Sequence, residues 1–216
     1  MPRRRVVWDC GTGNGQAAKD LARYFDRVIA TDASAAQLSN AIPVRNVEYR
    51  VAKAESSGLA DRSVDATTVA QALHWFELEP FYAEVRRVTV PGGILAAWSY
   101  GSASAGEDIE SLLRGLEDGT LAGYWDDRRR LVDEGYRTVA FPFPEIATPV
   151  MQLRKEWTLS QLGGYLRSWS AVAKFVQERG QDPVAPVLEQ LGKHWGSPDR
   201  TRTVTWPLAI RVGRIE

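Results

Sequence analysis

The stretch Val6-Val7-Trp8-Asp9-Cys10-Gly11-Thr12-Gly13-Asn14-Gly15-Gln16 decides how the rest of the chain is read. Apolar residues of β character run into an aspartate, glycines follow at alternate positions, and a helix-forming stretch begins. The pattern predicts a buried parallel strand, a tight turn and a helix N-terminus. Glycine admits positive φ and lets a ligand approach the backbone closely. The open amides at a helix start favour a polar or anionic group. Such a strand–turn–helix at the head of an α/β chain is a nucleotide-type cradle, although a glycine run can also form a turn that binds nothing. The dinucleotide fingerprint G-x-G-x-x-G/A breaks at its sixth position, where Gln16 stands.

Working outward, residues 16–25 carry Ala17, Ala18, Leu21, Ala22 and Phe25 at helical spacing. Val28-Ile29-Ala30-Thr31 reads as a second buried strand. It ends in Asp32 and Ala33, and Asp32 lies 19 residues beyond Gly13. An acidic side chain there suits the diol of a ribose; it equally suits a cap for the helix starting near Ser34. Val47–Val51 alternates apolar and polar residues, as a strand near a sheet edge does. Val64–Ala70 is a fourth strand, and Gln71-Ala72-Leu73-His74-Trp75-Phe76 lies just past its carboxyl end. A helix from about Pro80 to Val88 shows Phe81, Tyr82, Val85 and Val88 as its apolar stripe, and Pro91-Gly92-Gly93 is expected to stop it. Ile94–Trp98 is the fifth strand. Alternating strand and helix predict an α/β fold: a doubly wound, Rossmann-like parallel sheet that binds ligands at its carboxyl ends. Gly11–Gly15, Asp32, Ala54-Glu55 and Gln71–Trp75 all fall there.

Asp9 through Gly15 resembles the first motif of class I S-adenosylmethionine-dependent methyltransferases, an acidic residue followed by G-x-G-x-G. Residues 6–101 as a whole resemble that class. Ala70–Phe76 and Arg86–Gly93 resemble its type 11 branch, with trans-aconitate methyltransferase-like proteins nearest. The resemblance implies S-adenosyl-L-methionine as cofactor. It implies that Asp9, Cys10, Gly11, Thr12, Gly13 and Gln16 hold the methionine end. Asp32 and Ala33 would lie at the ribose, Ala54 and Glu55 beside the adenine, and Gln71 and Ala72 along the cleft. Lys53 departs from the branch, which often has aspartate before the Ala-Glu pair, so the adenine contact would rest on backbone and stacking.

Residues 102–216 are less regular. Ile109–Leu116, Arg129–Tyr136, Leu159–Arg167, Ala171–Arg179 and Val184–Trp195 read as helices. Val150–Trp157 and Thr203–Val212 read as strands matching the pair that closes a methyltransferase sheet, and Pro207 marks a bulge or an edge. The expectation is a single domain, with residues 6–101 as the cofactor core and residues 102–216 as lid helices and terminal strands.

Methyl transfer from a sulfonium needs alignment and exclusion of water, and alignment alone can supply roughly 7–11 kcal/mol in the best cases. A base is required only where the acceptor must lose a proton. His74 is the candidate, since an imidazole titrates near neutrality, with a pKa of about 6.5; it also reads as a residue that shapes the pocket beside Trp75. His194 reads as structural. Trp75, Tyr100, Trp125, Tyr165 and Trp169 are candidate pocket walls or core. Arg167 and Arg128–Arg130 offer paired hydrogen bonds to a carboxylate acceptor, while a run such as Arg128–Arg130 also suits a solvated helix end.

Lys+Arg and Asp+Glu number 27 each, which argues against nucleic-acid binding driven by a global basic field. Cys10 is the only cysteine, so no intrachain disulfide exists, in keeping with a reducing cytoplasm. Inside the turn it reads as a small apolar filler. No apolar run reaches the roughly 18 residues needed to span a bilayer. Two histidines and one cysteine, widely separated, predict no metal site. Two alternatives stay open: an NAD(P)-dependent oxidoreductase, and a methyltransferase-fold binding protein without turnover. Only Met1–Arg5 precede the first strand, where the family carries a helical cover. Either the chain is shortened, which is the favoured expectation, or its C-terminal helices or a partner chain supply the cover; a shortened chain would expose an apolar patch near Val6–Trp8 and the cleft, which could drive homodimerisation.

Overall fold

The computed structural model describes residues 4–197 and 199–216; Met1, Pro2 and Arg3 of the basic start lie outside them. The chain divides into two compact units. The first comprises Met1–Ser99, Glu134–Val150 and Ala209–Glu216, and the second comprises Tyr100–Asp133 and Met151–Leu208.

The first unit is built on a sheet. Its strands are β1 (Val6–Cys10), β2 (Arg27–Asp32), β3 (Val47–Val51), β4 (Val64–Ala70), β5 (Thr89–Tyr100), the short β6 (Glu145–Ile146) and the end of the long last strand, Arg202–Arg214. The order is β3-β2-β1-β4-β5, then the last strand, then β6. Neighbours from β3 to β5 run parallel, and β6 runs antiparallel to the last strand. This is the doubly wound arrangement expected from the alternation, with β3 at the edge. Helices α1 (Gln16–Leu21), α2 (Ala35–Leu38) and α3 (Leu78–Val88) connect the strands. Parallel strands covered on both faces read as unbroken apolar runs, and Val7, Trp8, Val28, Ala30, Val64, Ala66 and Val69 are buried accordingly. Phe81, Tyr82, Val85 and Val88 of α3 are buried as their spacing required. Buried Asp65 accepts from the Arg5 and Val6 amides at 2.9 and 3.0 Å and so seats the start of β1.

Three expectations need correction here. The apolar patch anticipated at Val6–Trp8 is covered: Val7 and Trp8 are fully buried. The Trp8 ring lies 6.2 Å from Phe81, and its Nε1–H donates to Thr31 Oγ1 at 2.8 Å. The first helix ends at Leu21 rather than Phe25. Pro91-Gly92-Gly93 does not precede β5 but lies inside it. The β4–β5 ladder steps from Val64↔Thr89 to Ala66↔Ile94, so the Pro-Gly-Gly segment is the surplus of a bulge, where a missing N–H and absent side chains are tolerated.

The second unit is mostly helical. It contains α4 (Glu107–Arg114), a π-helical turn Gly115–Thr120, α5 (Arg129–Asp133), β7 (Met151–Trp157), α6 (Leu159–Arg167), α7 (Ser170–Arg179), α8 (Val184–Trp195) and the first part of β8 (Arg202–Arg214). Ile109, Leu113, Leu116, Leu162, Leu166, Leu191 and Trp195 form its core. The expected pair of closing strands forms within the one eight-stranded sheet. β8 takes its place beside β5 in the sheet, whereas β7 pairs antiparallel with β8 off the main strand order. Two helices also end differently. The one expected over 109–116 passes into the π-helical turn, and the one expected over 129–136 stops at Asp133. Beyond that stop, Gly135 and Tyr136 adopt φ of 60° and 58°, outside the helical range. No helix among the described residues is long and apolar enough to cross a membrane.

Candidate functional site

The carboxyl ends of β1, β2 and β4 bring the predicted cofactor residues together within the first unit. At Asp9 the chain leaves β1, and the Gly11 and Thr12 amides both donate to Thr31 O at 2.9 Å, which folds the turn over β2. Gly11 has φ +69°, and a Cβ placed on it would lie 2.6 Å from Ala72 Cβ, so the turn and the Gln71–Trp75 segment meet at a point that admits only glycine.

Asp9 is fully buried. Its two oxygens accept from Thr12 Oγ1 at 2.6 Å and Thr68 Oγ1 at 2.8 Å. Burial raises its pKa from 3.8 to about 6, against the lowering effect of these two hydroxyls and the Ala18 amide. Asp9 thus holds the turn from behind. Cys10 beside it is buried, and burial together with the Asp9 charge pushes its thiol well up, so it stays protonated and fills space. Gln16 begins α1, directly after the turn.

Asp32 faces the turn from the end of β2. It accepts from the Gly13 amide at 2.9 Å and the Ser34 amide at 2.8 Å. The helix cap itself is Ser34, whose Oγ accepts from Gln37 N at 3.3 Å. Asp32 therefore braces the glycine turn, and its partly exposed carboxylate keeps acceptor capacity for a ligand diol. Ala33 follows and is exposed. Ala54 is buried, whereas Glu55 accepts from the Glu77 amide at 3.0 Å at the start of α3. Gln71 has φ 55° and donates its amide to Trp98 O at 2.9 Å. Left-handed backbone at a non-glycine residue is a strained state that clusters at ligand sites.

His74 sits in a single 3-10 turn, Leu73–Trp75, past β4. Its Nδ1 lies 3.0 Å from Tyr136 Oη, and its ring lies 4.8 Å from that of Trp75 at a tilt of 46°, with Trp75 48% exposed. Tyr136 escaped the sequence reading because it is 62 residues from His74; Gly135, which marks a helix end, was the available signal. Thr68 was also missed, although a β1–β4 pairing places it directly opposite Asp9.

The remaining candidates lie in the second unit. Trp125, Trp169 and Tyr165 pack together, with Trp169 5.4 Å from Trp125 and 5.7 Å from Tyr165. Tyr100 is partly buried against the same core. Arg167 pairs with Asp182 at 2.8 Å at the surface. A cavity of about 480 Å³ is lined by Gly101, Ser102, Trp125 and Pro207 together with charged side chains. Among these, Glu117 is 5% exposed and accepts from Ser102 Oγ at 2.9 Å and from Arg129, whose guanidinium stacks 3.7 Å over Trp125. Burial raises the Glu117 pKa in spite of the Arg129 charge.

Comparison with known proteins agrees with this geometry. Residues 8–97 match the family described as Methyltransferase domain. A protein of Dictyostelium discoideum assigned as a methyltransferase is 34% identical over 200 residues, covering 91% of this chain and 76% of that protein. A Saccharomyces cerevisiae protein assigned as an S-adenosylmethionine-dependent methyltransferase is 33% identical over 106 residues, 45% of this chain and 36% of its own. Among solved structures, one from Anaeromyxobacter dehalogenans assigned as a type II methyltransferase superposes with TM-score 0.91 at 43% identity, covering 99% of this chain and 91% of that one.

Proposed function

Because the chain belongs to the class I S-adenosylmethionine-dependent methyltransferases, we propose that it transfers the sulfonium methyl of that cofactor to a small-molecule acceptor. The observation that carries this reading is the turn Asp9–Gly15, held from behind by the Asp9 carboxylate bonded to Thr12 and Thr68, and from in front by Asp32. Those residues fit the cofactor. An added Cβ at Gly13 would find only Gln37 Oε1, at 4.0 Å, so the backbone there is open to a ligand. Asp32 presents a carboxylate already oriented by two amides.

The Asp9–Gly13 turn and Gln16 would hold the amino-acid end of the cofactor, Asp32 and Ala33 the ribose, Ala54 and Glu55 the adenine side, and Gln71 and Ala72 the cleft wall. When bound, the cofactor supplies an activated methyl group. The protein's part is to align the acceptor and exclude water. His74 receives a proton where the acceptor must lose one.

A carboxylate acceptor is one reading of the substrate, drawn from the arginines and the type 11, trans-aconitate-like resemblance. Arg167 gives it little support, because Asp182 already occupies the Arg167 guanidinium. Taken by itself, the second unit's cavity carries more acid than base, with Glu117, Asp118, Asp126, Asp127 and Asp133 lining it against Arg129 and Arg130, which suits an amine ligand. Trp75, beside His74, is the proposed apolar contact for the acceptor in the first unit. A cytoplasmic setting is supported by the single buried cysteine. The balanced charge supports a small acceptor over nucleic acid, and homodimerisation is left to sizing of the protein.

Titration calorimetry with S-adenosylhomocysteine and with NAD tests the cofactor; heat with the first and none with the second is expected. Radiolabelled methyl transfer into a cell extract then reports the acceptor. Product retained on a cation exchanger supports the amine, and product that is retained on an anion exchanger, or is neutral and releases labelled methanol in base as a methyl ester does, supports the carboxylate. Label only in RNA or protein refutes both.

A further inference from the structure

We propose that Glu84 is a positioning residue for the cofactor's adenine: through Ser57 its carboxylate fixes the turn over 53–56 and so sets how strictly the purine is read. The inference rests on the reading of Ala54 and Glu55 as the adenine side. It starts from a buried acid for which methyl transfer has no use. Glu84 lies on the inward face of α3 with Phe81, Tyr82, Val85 and Val88, and is 7% exposed. A charge placed there is costly unless it is paired and hydrogen-bonded.

Glu84 is both. Its Oε1 accepts from Ser57 N at 2.8 Å, from Ser57 Oγ at 2.5 Å and from Arg87 Nη2 at 2.7 Å. Its Oε2 accepts from Arg87 Nε at 2.8 Å, and Arg87 Nη1 reaches on to Asp61 at 2.6 Å. Burial works against the charge, but the Arg87 and Ser57 bonds outweigh it and hold the pKa at about 2, below the ordinary 4.5. The group is therefore an ionised, acceptor-only carboxylate at neutral pH. Ser57 donates both its N–H and its O–H, and its Oγ accepts from the buried Leu59 at 3.1 Å.

These bonds close one end of a short segment that is pinned along its length. The Ala52 amide donates to Asp32 O at 3.0 Å, and Ser56 N donates to Lys53 O at 3.2 Å, which folds the turn around Ala54 and Glu55. Glu55 Oε1 accepts from the Glu77 amide at 3.0 Å. The segment is thus tied to the proposed ribose residue before the turn, to the start of α3 within it, and to Glu84 just after it. With lysine at 53 and Glu55 tied to α3, purine selectivity rests on the backbone of the turn. A backbone discriminates only as well as its supporting residues hold it in place.

Titration calorimetry on the full chain with S-adenosylhomocysteine and S-inosylhomocysteine tests this, since the second carries a ring carbonyl in place of the adenine amine. The wild type is expected to prefer the first by about tenfold or more, the worth of one hydrogen bond left unmade. Glu84→Met keeps the side-chain length without the acceptors, and should reduce that preference below about threefold. Glu84→Gln keeps an oxygen for Ser57 and should restore most of it. In cofactor-free protein the Ser57 and Leu59 amides should exchange faster in Glu84→Met, by about tenfold or more.

A Glu84 that only supports the fold weakens both ligands by one factor and leaves the preference unmoved. That result overturns the assignment, and so does unchanged amide exchange in Glu84→Met. Should Glu84→Met not fold, Ser57→Ala, which removes only the hydroxyl, should lower the preference part of the way, and an unmoved preference there overturns the assignment equally. A wild type that binds the two ligands alike also overturns it, and places the fault in the adenine reading; a wild-type preference kept in Glu84→Met places the fault in Glu84. Neither measurement involves methyl transfer, so failure here leaves that reaction standing.

Discussion

The two units bury ionisable groups in opposite ways. In the first, Asp9 lies under the glycine turn with hydroxyl and amide donors but no cation, and burial raises its pKa to about 6. In the second, Glu117 is buried against a cation, Arg129, which is itself stacked on Trp125. Neutral donors orient the Asp9 carboxylate but lower its pKa less than burial raises it, so it stays at about 6. A paired charge is held chiefly by its partner and is costly once that partner is lost. The first arrangement suits a turn that must stay in one shape beside a ligand. The second suits a charged wall for a cavity.

The sharpest break of this contrast is Gly11→Ala. Left-handed strain and the overlap with Ala72 together cost about 4 kcal/mol. Urea unfolding should show that loss, and S-adenosylhomocysteine binding should vanish. Glu117→Ala comes next. It leaves the Arg129 guanidinium without its buried partner and should cost about 3 kcal/mol, the low end for such pairs because Arg129 is partly exposed. Hydrogen exchange should then rise over Ile109–Leu121 while β1 and β4 stay protected; equal loss in both units would erase the distinction.

Asp9 sharpens the comparison through pH. Its folded pKa, about 6, lies above the unfolded value of 3.8, so the native state binds more protons between those values. Its contribution to stability is therefore full at low pH and declines as pH rises through about 4 to 6, by up to about 3 kcal/mol. The stability of Asp9→Asn minus that of wild type should rise across the same window; a flat difference would mean Asp9 titrates as an ordinary carboxylate. Asp32→Ala, which removes an acceptor for the Gly13 amide and for the proposed ribose diol, should weaken S-adenosylhomocysteine about ten- to a hundredfold. An unchanged dissociation constant in a folded protein would reduce Asp32 to a brace for the turn. The smallest effect belongs to Arg167→Ala, below about 1 kcal/mol, because its pair with Asp182 is solvated on both sides.

Much of the cofactor half was legible. Val47–Val51 and Val64–Ala70 are strands over the residues their patterns mark, and Phe81, Tyr82, Val85 and Val88 point inward as a 3.6-residue period requires. Leu159–Arg167 and Val184–Trp195 are helices to the residue. The Pro91-Gly92-Gly93 segment misled because its residues are helix breakers wherever they stand; only the ladder between β4 and β5 shows that they form a bulge within a strand.

What the sequence alone determined is what neighbouring residues dictate: the strand, the glycine turn, the acidic residue after β2, and hence the cofactor class. Periodicity and backbone freedom act over a few residues and leave their mark in composition. What only the tertiary structure decided are the partnerships: Thr68 on Asp9, Tyr136 on His74, Arg211 on Tyr136, and Asp182 on Arg167. Those depend on which side chains chain reversal brings within 3 Å or so of each other. A hydrogen bond across 62 residues has no local energetic signature from which it could be read.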